Sequence, residues 1–269
     1  MILIGERINA SNKTVGEAIA KRDSAFIASL ATAQAESGVD FIDINAGNGQ
    51  DEDTQGKASM KWLVEAVQAV TNKPLAIDSD RPEIIEAALK TYRGEEMFIN
   101  SVTAEPAKLA AVGPLAVERR AWLVALAMGT DGIPDNVEQR LEACEKIATH
   151  LTQMGVKMEQ IFFDPLVLPI AVDSKQGLVT LKTIEEIKSR YPDARTVAGL
   201  SNISYGLPNR KLVNRAFLLM AAYAGLDAAI LNTLDAEVMS LVKVADMLAG
   251  KDNSCRTYIR AHRSGRIVG

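Results

Sequence analysis

Apolar positions along the chain fall into two alternating kinds of segment. Short, near-continuous apolar runs rich in β-branched residues occupy residues 2–8, 39–45, 74–78, 97–102, 121–127, 160–164, 196–201 and 228–232. That pattern suits strands buried on both faces of a parallel sheet. Between the runs, apolar residues recur at three- and four-residue steps. In 24–36 they are Phe26, Ile27, Leu30 and Ala33, with Gly38 following as a stop signal; in 60–70 they are Leu63, Val64, Val67 and Val70. Pro82 opens another helix at its first turn. Further helices are predicted over 135–154, 178–190, 211–224 and 236–248, with a short one near 106–111. Eight strands alternating strictly with eight helices predict a closed (β/α)8 TIM barrel. An open doubly wound sheet is the competing architecture. It usually carries a glycine-rich phosphate loop, and no G-x-G-x-x-G or P-loop phrase is present.

Length and composition agree with one barrel. The 269 residues match the roughly 250 that such a barrel uses, and no Pro/Gly/Ser-rich linker divides them. A single domain over 1–269 is expected, with a short tail from about residue 250. With 48% hydrophobic and 24% charged residues, this is an ordinary folded chain. Its net charge of −4 argues against a nucleic-acid partner. Two cysteines, Cys144 and Cys255, cannot build a disulfide framework or a zinc cluster. The two histidines, His150 and His262, argue against a histidine-rich metal site. The first residues do not read as a signal peptide, and the longest apolar stretch, 216–231, is broken by Gly225 and Asp227. The expectation is a cytoplasmic protein with no membrane partner.

Chemistry in such barrels sits at the C-terminal ends of the strands. Here those ends carry Glu6, Arg7 and Asn9; Asp43 and Asn45; Asp78, Ser79 and Asp80; Asn100; Asp164; Ser201 and Asn202; and Asn232. Taken singly, Asp and Asn end strands as turn formers or helix caps. Seven ends of eight closing this way point to a site. Asp43 and Asp78 follow strongly apolar residues, so both should be partly buried and in need of donors. Cations are scarce at these ends, and the donors are therefore expected to arrive with a ligand. One candidate is a hard metal such as Mg²⁺, which prefers oxygen. The other is a heterocycle with paired N–H donors, such as the aminopyrimidinone edge of a pterin. Carboxylates accept from that edge, and carboxamides both donate to and accept from it.

The phrases G-E-R-I-N at 5–9, D-I-N-A-G at 43–47, I-D-S at 77–79, I-N-S at 99–101, F-D-P-L-V-L-P at 163–169 and G-L-S-N-I-S at 199–204 resemble the methyltetrahydrofolate:corrinoid protein methyltransferases. These are pterin-binding barrels, and the folate domain of methionine synthase and dihydropteroate synthase are relatives. The resemblance runs from Leu3 to about Leu248. It implies that Asp78, Asn100 and Asp164 bind the pterin edge of tetrahydrofolate. Asn202 would reach toward N5, the atom that carries the methyl group, and would be the catalytic residue. Glu6, Asp43, Asn45 and Ser79 would share the cavity, and Arg210 matches an arginine of the strand-seven loop. Tyr205 stands where the acetogen-type enzymes have glutamine, and a phenol cannot make the same paired contacts.

The implied reaction moves methyl between N5 and the cobalt of a corrinoid (cobalamin), in a direction left open. The substrate would be tetrahydrofolate or methyltetrahydrofolate, and no metal would be bound by this chain. The corrinoid is expected on a separate protein, since no D-x-H-x-x-G phrase occurs. A homodimer is also implied, with the Ala-rich helices at 216–224 and 236–248 as candidate faces. The alternatives are a dihydropteroate synthase-like enzyme or a non-catalytic folate-binding protein. Against the former, the N-V-T-P-D-S-F-S-D-G-G phrase is missing after the first strand, and His262-Arg263 lies beyond the eighth helix.

Other polar and aromatic residues read as ordinary structure. His150 belongs to the surface, Cys144 to the core, Cys255 to the tail, and Trp62 and Trp122 to packing. The glycines of 128–132 form a turn, and the basic residues from Lys251 to Arg266 form a solvated face that could also meet an acidic partner or a folate glutamate chain.

Overall fold

The computed structural model describes residues 1–47 and 53–268. Among them, eight parallel strands close a barrel in chain order: β1 (Ile2–Asn9), β2 (Phe41–Asn45), β3 (Leu75–Asp78), β4 (Met97–Val102), β5 (Trp122–Leu126), β6 (Ile161–Asp164), β7 (Arg195–Gly199) and β8 (Ala228–Leu231). The ring shuts where Ile2 of β1 pairs with Ala228 of β8. The helices are α1 (Lys13–Ala20), α2 (Ser24–Ser37), α3 (Asp53–Gln68), α4 (Pro82–Thr91), α5 (Pro106–Arg119), α6 (Val137–Gln153), α7 (Gln176–Arg190), α8 (Arg210–Ala224), α9 (Ala236–Leu248) and α10 (Arg256–Arg263). The expected TIM barrel is the observed fold.

Several details differ from the sequence reading. Helix α1 was not predicted: it buries only Val15, Ala18 and Ile19, too short a stripe to register. Asn12 caps it, its side chain accepting from the Thr14 and Val15 amides. Helix α5 runs on to Arg119 through Pro114, a residue that reads as a stop, because Val112, Gly113 and Ala116 bury its inward face. Strand β7 ends at Gly199, and Leu200–Ser204 forms a 3-10 turn. The tail is folded too: α10 follows a 3-10 turn at Asn253–Cys255, and the Val268 amide donates to Ser240 Oγ on α9 at 2.8 Å.

One residue from each strand fills the lower interior: Ile4, Phe41, Ala76, Phe98, Val124, Phe162, Val197 and Ala228. Phe98 is the hub, 4.8 Å from Phe41, 4.7 Å from Phe162 and 5.2 Å from Trp122 between ring centroids. The guanidinium of Arg195 caps the cluster from below, 5.2 Å from Trp122 and 5.4 Å from Phe162. Trp122 is therefore a packing anchor, as is Trp62, which lies beneath Arg22 at 5.1 Å.

Side chains alternate along a strand, so the residue two further on faces the same interior. Those residues are Glu6, Asp43, Asp78, Asn100, Leu126, Asp164, Gly199 and Ile230. The intervening apolar residues face outward against the helices.

Truncating the hub tests this packing. Phe98→Ala is expected to cost about 3–5 kcal/mol in urea unfolding. A loss below about 1 kcal/mol would show that the aromatic floor is not close-packed.

Candidate active site

The polar interior begins one step above the aromatic floor. Asp43 is 2% exposed. Its Oδ1 accepts from Asn100 Nδ2 at 3.2 Å. Asn45, two residues beyond Asp43 on β2, donates from Nδ2 to Asp78 Oδ2 at 2.8 Å, while its own Oδ1 accepts from the Gly47 amide at 2.7 Å. Asp78 and Asn100 are register partners on β3 and β4. The Ser79 amide donates to the Asn100 carbonyl at 2.7 Å, and Ser79 Oγ accepts from the Arg81 amide at 3.2 Å. Ser79 is thus buried in the turn that leaves β3. The expectation that the donors arrive with a ligand needs correcting: other strands of the barrel, β4 and β2, supply one carboxamide N–H to each of Asp43 and Asp78.

These donors only partly offset burial. Burial pushes the Asp43 carboxyl well above its ordinary range, the Asp78 charge pushes it further, and the Asn100 bond pulls it back. Burial also raises Asp78, with Asn45 opposing. On β6, burial lifts Asp164 to about 6, against the pull of the Leu166 amide and Arg140. That amide donates to Asp164 Oδ1 at 2.8 Å. Leu166 has φ +65°, a left-handed backbone that costs a branched L-residue about 1–2 kcal/mol.

Glu6 joins the two sides of the barrel mouth. It follows Gly5, where any Cβ would run into the buried carboxamide of Gln34, and Gln34 Oε1 accepts from the Arg7 amide at 3.0 Å. Ser201 Oγ donates to Glu6 at 2.9 and 3.2 Å. Burial raises the Glu6 carboxyl, while Ser201, Arg7 and Arg210 draw it back.

Arg210 opens α8 and grips the 3-10 turn. Its Nε donates to Ser204 Oγ at 3.0 Å and its Nη2 to the Ser201 carbonyl at 2.7 Å, with the guanidinium 5.7 Å from the Tyr205 ring centroid. Tyr205 is exposed and carries the arginine on its face. Asn202 sits on the same turn with its side chain exposed. Glu6, Ser201, Arg210, Asn214 and Asn232 line a cavity of about 250 Å³.

Glu6, Asp43, Asn45, Asp78 and Asn100 thus form one cluster, tied through Glu6 to Ser201 and Arg210. Asp164 shares the interior but has its own loop, and Asn202 stands at the rim. Ser79 and Asn232 act in turns; Asn232 Oδ1 accepts from the Leu234 amide at 3.2 Å. His150 is exposed, its Nδ1 2.7 Å from the Lys146 carbonyl, and Cys144 is buried. Among the described residues, no group of three or more His, Cys, Asp and Glu is placed to hold a metal ion. The sequence reading missed Arg140. Its signal was an arginine in the apolar stripe of α6, four residues before Cys144 and seven before Ile147.

Residues 5–232 match the family described as pterin binding enzyme. The chain belongs to the pterin-binding enzymes. This enzyme is 35% identical over 269 residues, 99% of its own length and 98% of the relative's, to the methylcorrinoid:tetrahydrofolate methyltransferase of Eubacterium limosum. It is 31% identical over 246 residues to the methionine synthase of Mycobacterium tuberculosis, matching 86% of this chain but spanning only 20% of that longer protein. Among solved structures, the 7,8-dihydropteroate synthase of Vibrio fischeri ES114 superposes with a TM-score of 0.67 at 16% identity, covering 93% of each chain. The dihydropteroate synthase of Xanthomonas albilineans, in complex with 7,8-dihydropteroate, gives 0.66 at 19% identity, covering 91% of this chain and 92% of that one. These two likenesses establish the shared barrel.

A carboxyl raised in the folded state costs stability once it ionises. For Asp164, the folded value of about 6 exceeds the ordinary 3.8. Its stabilising contribution is therefore present below 3.8 and lost as pH rises through about 6. Asp164→Asn keeps an acceptor for Leu166 and should stabilise the ligand-free enzyme at pH 7.5 by about 1–3 kcal/mol. Urea unfolding at pH 7.5 and 5.0 checks this; a variant no more stable than wild type at the higher pH contradicts it.

Proposed function

We propose that this enzyme takes a methyl group from a methylcorrinoid carried by a partner protein and places it on N5 of tetrahydrofolate. The direction is the one named for the Eubacterium limosum relative. The observation that carries the reading is the wall of Asp43, Asn45, Asp78, Asn100 and Asp164 facing one interior above an aromatic floor. Asp78 and Asp164 keep free lone pairs for the 2-amino and ring N–H groups of a pterin. With Nδ2 held by Asp43, Asn100 offers Oδ1. Leu126 of β5 and Ile230 of β8 supply apolar surface to the same interior.

Binding holds N5 at the rim beside Asn202, and orientation is the main service to an in-line displacement. The N5 lone pair attacks the methyl carbon. The cobalt–carbon bond breaks, its electron pair stays on cobalt as Co(I), and N5 then gives its proton to water. The Asn202 carboxamide does not titrate near neutral pH, so it aligns N5 and stabilises the charge there by hydrogen bonding. The corrinoid protein docks over the strand C-terminal face and leaves after each transfer.

A homodimer fits the apolar groove between α7 and α8, where Leu178 is 67% and Leu212 63% exposed. No described helix is long and apolar enough to cross a membrane, and we place the enzyme in the cytoplasm.

Anaerobic methyl transfer from methylcobalamin, followed by the Co(I) spectrum, tests the reading. Asn202→Ala should slow transfer by about 10²–10³-fold, with tetrahydrofolate affinity within about threefold of wild type. Asp78→Asn should weaken binding by about 10–100-fold, the worth of one charge-assisted hydrogen bond. Equal losses of rate and affinity in Asn202→Ala would remove it from N5. Wild type that binds tetrahydrofolate yet moves no methyl would be a folate-binding protein.

A further inference from the structure

Arg140 is the largest wholly buried side chain of the described residues. Burying a guanidinium is costly unless its donors are satisfied and its charge is answered. Its Nη1 donates to the carbonyls of Pro165 at 2.8 Å and Leu166 at 3.0 Å. Its Nη2 donates to Gln176 Oε1 at 2.7 Å, and Nε and Nη2 both donate to the Pro134 carbonyl at 3.3 Å. Thr180 Oγ1 adds a second donor to the Leu166 carbonyl at 2.9 Å. All these acceptors are neutral; the negative charges acting on Arg140 are those of Asp164 and Asp135.

Two of the three carbonyls it grips belong to the two residues after Asp164. The second, Leu166, holds the left-handed backbone that turns its amide back onto Asp164 Oδ1. We propose that Arg140 is a positioning residue for the pterin site: its fork clamps two successive carbonyls, fixes the turn at Leu166, and so orients the Asp164 carboxylate with Oδ2 left for the ligand. The role assigned to Asp164 here rests on the proposed folate reading.

Packing alone would be served by an apolar side chain, without the cost of a buried ion. The groups whose fields reach Asp164 are the Arg140 guanidinium and the Cys144 thiol, both on α6. Burial pushes that thiol far up, so it stays neutral. The charge acting on Asp164 is therefore that of Arg140.

Two readouts separate this inference from the folate reading. The first is the ¹³C titration of the Asp164 carboxyl in the unliganded enzyme, with a midpoint expected at about 6 in wild type. Arg140→Gln should raise that midpoint by roughly half to one pH unit. Arg140→Lys keeps the charge and should move it by less than about 0.3. The second is tetrahydrofolate affinity at pH 7.5. Arg140→Lys should lose at least about threefold and Arg140→Gln about tenfold or more, because a three-donor ammonium lacks the planar five-donor fork that spans the Pro134, Pro165 and Leu166 carbonyls and Gln176.

An unmoved midpoint in folded Arg140→Gln overturns the inference, whatever happens to affinity. If that variant does not fold, Arg140→Lys with full wild-type affinity overturns it. Wild type that fails to bind tetrahydrofolate defeats the folate reading instead, and the Asp164 titration still decides whether Arg140 sets that carboxyl.

Discussion

Carboxylates inside the barrel set the terms for everything around them. Four of them, Glu6, Asp43, Asp78 and Asp164, are raised above their ordinary range mainly by burial. Strand geometry puts them there. Each follows by two residues a side chain of the lower interior: Ile4, Phe41, Ala76 and Phe162. Period-two alternation therefore stacks a polar layer directly on an aromatic one. The aromatic floor, closed by Arg195, shuts out water from below, so these groups can be solvated only from the open end.

The chain answers each carboxylate with one neutral donor. Asn100 serves Asp43, Asn45 serves Asp78, Ser201 serves Glu6 and the Leu166 amide serves Asp164. That is too little to make the charges comfortable, and the unliganded site is correspondingly unstable near neutral pH. A ligand bringing paired N–H donors relieves the deficit, which gives binding a driving force and a direction. The same neutral donors fix the carboxamides: Asn100 is committed at its nitrogen and keeps its oxygen available.

Much of this was legible in the sequence. The apolar runs gave all eight strands because a parallel barrel buries both faces, and the polar residues closing seven of the eight runs pointed to the candidate site. What escaped notice depends on contacts between segments. Donation from Asn45 to Asp78 joins residues 33 apart, and from Ser201 to Glu6 joins residues 195 apart. No local pattern announces such bonds, hence the mistaken expectation that the ligand supplies every donor. Helix α5 outlasted Pro114 because tertiary burial of Val112 and Ala116 outweighed the local stop. Arg140 was readable in principle, as a charge in an apolar stripe, but its meaning depends on the loop after Asp164.

In the proposed reaction, the pterin edge relieves buried, partly protonated carboxylates. The most direct measurement is the proton balance of tetrahydrofolate binding, obtained by calorimetry at pH 6 and pH 8 in buffers of different ionisation enthalpy. Net release of roughly half a proton or more is expected at pH 6, as Asp164 ionises on meeting its donors, falling toward zero at pH 8. Binding with no proton release at pH 6, or with net uptake, would contradict it.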